Sequence, residues 1–167
     1  MSIVQTEKEK QIARESGRRL AAVLYGVIKK IAPGVTPREL DAYALKLIRE
    51  EGDEPSFLGY KPSGAKMPYP AALCVSVNNE VVHSIPKDAF LKEGDIVGLD
   101  LGLTHKGFIT DMARTVPVGM IDEKAQKLIA VTEEALAKGI GAARAGGRIG
   151  DIGHAIESYV KKSGFSI

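Results

Sequence analysis

Two aspartates, Asp100 and Asp111, are the residues whose type and spacing best suit chemistry in this sequence. They lie on two apolar, β-branched runs that flank the polar tip His105-Lys106-Gly107, a pattern that predicts a β-hairpin. If Thr104 pairs with Gly107, the same register places Asp100 directly opposite Asp111, with Cβ atoms roughly 4.5–5.5 Å apart. Like charges so placed repel each other, so the pair must share a proton, accept strong donors or hold a cation.

The neighbours of Asp100 support a functional role. Alternation along the first strand puts Gly98, Asp100 and Gly102 on one face and the leucines and valines on the other. The apolar face is the one to bury, and glycines beside Asp100 leave its own face open to a ligand. Two alternatives stay open: a β-bulge that offsets the two aspartates, and a solvated strand face or turn cap for either aspartate alone.

His83 is the third candidate for chemistry. It lies between Val81-Val82 and Ile85-Pro86, shortly before the predicted hairpin. A histidine among aliphatic neighbours is as readily a structural residue as a catalytic one, so both interpretations stay open. We expect His105 to be solvated at the hairpin tip, and we assign no chemistry to His154.

Composition bounds the class of protein. The 167 residues suit one domain, and 23 basic against 21 acidic residues give a net charge of +2. Lysine doublets occur only at predicted helix ends, so nucleic-acid binding is not expected. The single cysteine, Cys74, excludes an internal disulfide and fits a reducing compartment. The polar N-terminus shows no signal peptide or membrane span, so we expect a soluble cytoplasmic protein with no membrane partner.

Hydrophobic periodicity predicts four helices and a sheet. The first helix runs from about Thr6 to Ile31, and the second begins at a Thr36–Glu39 capping box. A strand at 73–77 and the hairpin follow, and two further helices begin near Asp122 and Ile149.

The two predicted helix pairs align with each other. Setting Gly34 against Gly146 gives both pairs the same apolar register. A sheet follows the first pair but only three residues follow the second, so a second sheet is expected to be missing. The alternative is that any two amphipathic helix pairs align about this well.

Three segments carry a family resemblance: CVSVNNEVVHSIP (74–86), LKEGDIVGLDLGLTHKGFITDMARTVPVG (91–119) and GDIGHAIESYVKKSGFSI (150–167). Together they resemble the type I bacterial methionine aminopeptidases over essentially the whole chain. The resemblance implies an α+β pita-bread fold, with the first half complete and only the helix pair of the second half present. Residues 1–167 would then form a single, incomplete catalytic domain. Proline-specific metallopeptidases share this fold and the aspartate pair, but the NEVVH-x-IP motif favours the methionine enzyme.

The resemblance also implies roles for individual residues. Asp100 and Asp111 would be ligands of two divalent metal ions (Co, Mn, Fe or Zn), with Asp111 bridging them. His83 would hydrogen-bond the substrate peptide and stabilise the developing oxyanion. Cys74 and Tyr69 would form part of the pocket for the methionine side chain, with ordinary core packing as the alternative. The implied reaction is removal of the N-terminal methionine from nascent polypeptides by a metal-activated water.

In the family, the other metal ligands are a histidine and two glutamates, which would lie beyond Ile167. We therefore expect this chain alone to bind metal weakly and to be nearly inactive. We also expect a homodimer, or a complementing C-terminal chain, to cover apolar stripes on the last two helices. Two alternatives from other classes are a non-catalytic pita-bread module that binds peptides or proteins, and a metal-free hydrolase with a proton-sharing aspartate dyad.

Overall fold

The computed structural model describes residues 4–167. The chain divides into two compact units, the first ending at Met120 and the second spanning Ile121–Ile167. None of the helices in the described part is long and apolar enough to cross a membrane. The elements of the first unit are α1 (Glu7–Ile28), α2 (Pro37–Glu50), β1 (Glu54–Pro55), β2 (Leu73–Val77), β3 (Ile96–His105) and β4 (Phe108–Pro117). Those of the second unit are α3 (Glu123–Ala142) and α4 (Ile149–Lys162).

Local capping signals set the helix starts. The predicted capping box at α2 is present: Thr36 Oγ1 accepts from the backbone N–H of Glu39 at 3.2 Å, and the Glu39 carboxylate accepts from Thr36 N at 2.8 Å. The same arrangement joins Thr6 and Glu9 at the start of α1. These caps satisfy backbone donors that no intrahelical bond can reach.

The sheet is antiparallel, and β3 is its central strand. Along one edge β3 pairs with β1 and β2, and along the other it pairs with the whole of β4. Alternate residues of β3 face the helices and are fully buried, as the sequence predicts. The core of this unit includes Leu20, Leu24 and Val27 of α1, Leu40 and Ile48 of α2, and Val97, Leu99, Leu101 and Leu103 of β3.

The hairpin register differs from the predicted one by two residues. His105 pairs with Phe108, and Lys106 and Gly107 form a two-residue turn with φ values of 48° and 81°. Positive φ at both positions is the type I′ geometry that matches strand twist, and glycine at the second position favours it. The prediction that Thr104 pairs with Gly107 is therefore wrong.

His105 is buried rather than solvated, so that prediction is also wrong. Its Nδ1 lies 2.6 Å from Oδ1 of Asp53, and the two side chains are 8% and 2% exposed. The other oxygen of Asp53 accepts from Arg19 of α1 at 3.3 Å. Since the turn begins only after His105, this residue still belongs to the strand face that the helices cover.

The second unit is a helix pair with its own small core. Val131 and Ala135 of α3 pack with Val160 of α4, and Ile156, Tyr159 and Phe165 extend this cluster. Gly139 allows close approach, since a Cβ there would lie 2.8 Å from Cδ1 of Ile156. Three other apolar side chains of α3 are 40–66% exposed: Leu128, Leu136 and Ile140.

Candidate metal and peptide site

The face of the sheet that turns away from α1 and α2 gathers the chemically useful side chains. Asp100 pairs with Ala113 of β4 on one side and with Cys74 of β2 on the other. Asp111 pairs with Gly102, two positions along β3 from Asp100. Because the shift is an even number of residues, both aspartates still share a face, as diagonal neighbours with Cα atoms roughly 7–8 Å apart.

The negative charge at this face is poorly compensated by the chain itself. Burial raises the pKa of Asp100, and the negative charge of Asp111 raises it further, while His83 opposes the shift. Partial burial likewise raises the pKa of Asp111. Oδ1 of Asp100 is buried and has no hydrogen-bond partner within the described residues. A buried carboxylate oxygen without a donor is a position that a cation would stabilise.

His83 lies close to Asp100 because its loop is tethered to β2. The carbonyl oxygen of Ser84 accepts from the backbone N–H of Val75 at 3.2 Å and from the hydroxyl of Tyr69 at 3.0 Å. His83 itself has a left-handed backbone, with φ at 56°, which is uncommon for a residue other than glycine. Ligand atoms of His83, Cys74 and Asp100 all lie within 4.8 Å of one another.

Tyr69 and Cys74 form an uncharged wall beside these groups. Burial raises the pKa of the Tyr69 hydroxyl, which is therefore a protonated donor at neutral pH. Burial also raises the pKa of the Cys74 thiol. The ring of Tyr69 meets Phe57 edge to face, with centroids 6.5 Å apart and planes at 88°.

Phe57 is a site residue that sequence reasoning missed. Gly102 does not leave open space for a ligand, because a Cβ there would lie 2.6 Å from Cε1 of Phe57. The glycine instead admits the phenylalanine ring against the sheet. Phe57 lies in a loop rich in Pro, Gly and Ser, where no periodicity indicates which side chain returns to the sheet.

Asp41 of α2 is a second residue that the sequence analysis does not predict. It positions a strand of the site and takes no part in the chemistry. One carboxylate oxygen accepts from the backbone N–H groups of Ala72 at 2.8 Å and Leu73 at 3.0 Å. These bonds fix the start of β2, and so the place of Cys74 opposite Asp100. The partners are some thirty positions apart in the sequence, and no local pattern connects them.

Comparison with known proteins identifies the family. Residues 11–167 match the family model described as "Metallopeptidase family M24". The chain belongs to this family. Methionine aminopeptidase of Clostridium perfringens and methionine aminopeptidase 1 of Bacillus subtilis are each 42% identical to this M24 chain over 167 residues. The match covers all of this chain and 65% of each relative, so the chain spans about 65% of the length of these relatives.

Solved structures confirm the fold of this M24 chain. Methionine aminopeptidase of Thermotoga maritima has a TM-score of 0.91 at 37% identity, covering 99% of this chain and 65% of that one. The Rickettsia prowazekii enzyme has a TM-score of 0.90 at 36% identity, covering 97% and 63%. An Xaa-Pro dipeptidase of Bacillus anthracis, at 22% identity and a TM-score of 0.82, shares the fold. The predicted α+β, pita-bread fold is therefore confirmed.

Membership in a metallopeptidase family implies divalent-metal binding, and the residues present fit a metal ion. Asp100 offers a buried oxygen without a donor, and the carboxylate of Asp111 lies on the same face of the sheet. Carboxylate oxygens are metal ligands in many proteins. His154 is exposed on α4, where its Nε2 lies 3.3 Å from the hydroxyl of Ser158.

Proposed function

We propose that this chain carries part of the active site of a metallo-aminopeptidase that removes N-terminal methionine from peptides. The observation that supports it most strongly is the pair Asp100 and Asp111, which share one sheet face and both have raised pKa values. A metal ion would relieve their repulsion. We infer the substrate from the relatives, which are methionine aminopeptidases.

In this proposal the carboxylates of Asp100 and Asp111 would hold two divalent metal ions. Carboxylate ligands suit Mn, Fe, Co or Zn. When bound, the metal ions would lower the pKa of a water and polarise the scissile carbonyl. The family resemblance assigns the three other ligands, a histidine and two glutamates, to residues outside 1–167.

His83 would bind the substrate peptide. Its side chain is exposed on the site face, and its loop is held by the two hydrogen bonds to Ser84 O. From there the imidazole would donate a hydrogen bond to the peptide beside the scissile bond and stabilise negative charge that develops on the carbonyl oxygen. A donor fixed in advance costs no reorganisation during the reaction.

Cys74 and Tyr69 would form one wall of the methionine pocket. The thiol is buried and protonated, and the tyrosine ring is held by Phe57 and by its hydroxyl bond to Ser84 O. An uncharged thiol and an aromatic ring together suit a thioether side chain, because sulfur makes favourable contacts with aromatic edges.

The activity test uses two proteins. Purified alone, residues 1–167 should hydrolyse a methionine-containing dipeptide no faster than the Asp111→Ala variant, because two carboxylates bind metal weakly. The second, called the joined protein, is this chain fused to the C-terminal remainder of the Bacillus subtilis relative. It should release methionine from a Met-Ala peptide, and a chelator should abolish this release.

Matched variants of the joined protein test the residue roles. Asp111→Asn should lower the rate roughly a hundredfold or more, and His83→Ala should lower it by about 10²–10³. Asp88→Asn is the control, since Asp88 is exposed and pairs with the exposed Arg38, and the rate of this variant should be unchanged. A folded joined protein that is inactive, or that loses as much rate with Asp88→Asn as with Asp111→Asn, would contradict the proposal.

We further propose that a second copy, or a complementing C-terminal chain, covers the exposed apolar side chains of α3. Leu136 and Ile140 are 49% and 66% exposed and lie one turn apart. Light scattering at high concentration should therefore show self-association, whereas a monodisperse monomer would count against a homodimer. The cytoplasm is the compartment we propose, from the single unpaired cysteine.

A further inference from the structure

Cys74, His83 and Asp100 form a cluster that the aspartate pair does not account for. We propose that these three side chains bind a thiophilic divalent cation, Zn²⁺ or Cd²⁺, at a sulfur, nitrogen and oxygen site. Their ligand atoms lie within 4.8 Å of one another. Ligands of one tetrahedral zinc are about 3.5 Å apart, given metal–ligand distances of about 2.0–2.3 Å. A small rotation of the exposed His83 side chain would therefore complete the site.

The backbone holds two of these ligands in place. Cys74 and Asp100 are cross-strand partners of β2 and β3, so their Cβ atoms point to the same face about 5 Å apart. Asp41 fixes the start of β2 at Leu73, one residue before Cys74, which pairs with Asp100. A metal site on paired strands needs little ordering when the ion binds.

The third ligand is held by its loop and can be reached from solvent. Ser84 O bonds to Val75 N and to the Tyr69 hydroxyl, which anchors the residue next to His83 on β2. Cys74 is buried, Asp100 is half-buried and His83 is exposed, so the cluster runs from the protein interior to the surface. An ion can enter past His83 and keep water as its fourth ligand.

This site differs from the carboxylate pair in its ligands and in the metals it prefers. Asp111 is not one of the three clustered residues, whereas Asp100 belongs to both sites. On binding, a sulfur–metal bond forms and the thiol proton passes to solvent. A soft thiolate favours Zn²⁺ and Cd²⁺ over the Mn²⁺ that carboxylates accept. Since Asp100 is shared, a cation at one site should compete with a cation at the other.

Titration of the 167-residue chain with Co²⁺ tests this site without any measurement of hydrolysis. A thiolate ligand gives Co²⁺ a near-ultraviolet charge-transfer band, and Cys74 is the only cysteine in the sequence. We expect the band to saturate at one equivalent and to disappear when Zn²⁺ or Cd²⁺ displaces the cobalt. Cys74→Ser should abolish it, and His83→Ala should weaken Co²⁺ binding at least about tenfold.

Asp111→Asn is the matched control, because it alters the carboxylate pair and leaves the three proposed ligands intact. Its charge-transfer band should persist. The proposal is overturned if the wild-type chain gives no band, if the band and the affinity survive His83→Ala, or if Asp111→Asn abolishes the band. Circular dichroism of Cys74→Ser confirms that any loss does not come from unfolding. Observation of the band would support this metal site even if the chain hydrolyses no peptide.

Discussion

Gly98 and Gly102 flank Asp100 on the same face of β3 yet have different surroundings. A Cβ at Gly98 would meet nothing closer than 3.6 Å, which is ordinary contact with Ser76. A Cβ at Gly102 would lie 2.6 Å from the ring of Phe57. The sequence predicts that both glycines keep this face of the strand clear for a ligand. The fold shows that the space at Gly102 is instead filled by the ring of Phe57.

Replacing each glycine by alanine separates these two environments. Gly102→Ala should lower the free energy of unfolding by about 1–3 kcal/mol, because Phe57 must move and its contact with Tyr69 is lost. Gly98→Ala should have a much smaller effect. Urea unfolding of both variants checks this, and equal losses would contradict the packing of Phe57 over Gly102.

His105 shows where residue-level reasoning from sequence fails. Its position beside a turn suggests exposure, but its environment depends on Asp53, which lies 52 positions earlier in the chain. Asp53, between α2 and β1, in turn accepts a hydrogen bond from Arg19 of α1. Such long-range pairing carries no local pattern, whereas the alternation that places Asp100 and Asp111 on one face is local and could be predicted.

At the scale of elements, local signals predicted most of the fold. The α2 capping box, strand 73–77 and the start of the last helix at Ile149 are all as predicted, because caps and apolar periodicity act over a few residues. The predicted hairpin register is wrong because register depends on which two residues take positive φ. Glycine alone favours Lys106-Gly107 over His105-Lys106 as the two turn residues.

Two glycine-to-alanine substitutions should change the stability of the protein in opposite directions. The first tests the turn, and the second is a comparison inside a helix. Gly107 has φ at 81°, so Gly107→Ala should destabilise the protein by about 1–2 kcal/mol, the cost of a left-handed backbone for alanine. Gly17 lies inside α1 with nothing near its missing Cβ, so Gly17→Ala should stabilise by up to about 1 kcal/mol. A tolerated Gly107→Ala, as seen by thermal unfolding, would contradict the type I′ turn.

For the whole molecule, the aspartate pair is a cost in stability that metal binding would offset. The raised pKa values mean that the folded state holds protons more tightly than the unfolded state does. Stability of the metal-free protein should therefore fall as pH rises from the ordinary aspartate value of 3.8 through the raised values. At neutral pH, removing one carboxylate should stabilise the metal-free chain, and only a metal ion should reverse this.

The most direct test is urea unfolding of the wild-type chain and Asp111→Asn at neutral pH, each with a chelator and with millimolar Mn²⁺. With the chelator, Asp111→Asn should be the more stable protein by up to about 1 kcal/mol, because it lacks one of the two repelling charges. With Mn²⁺, the wild-type chain should gain stability by binding the ion and the variant should not, so that their order reverses. If Mn²⁺ shifts neither protein, or both equally, the two aspartates do not form a metal site.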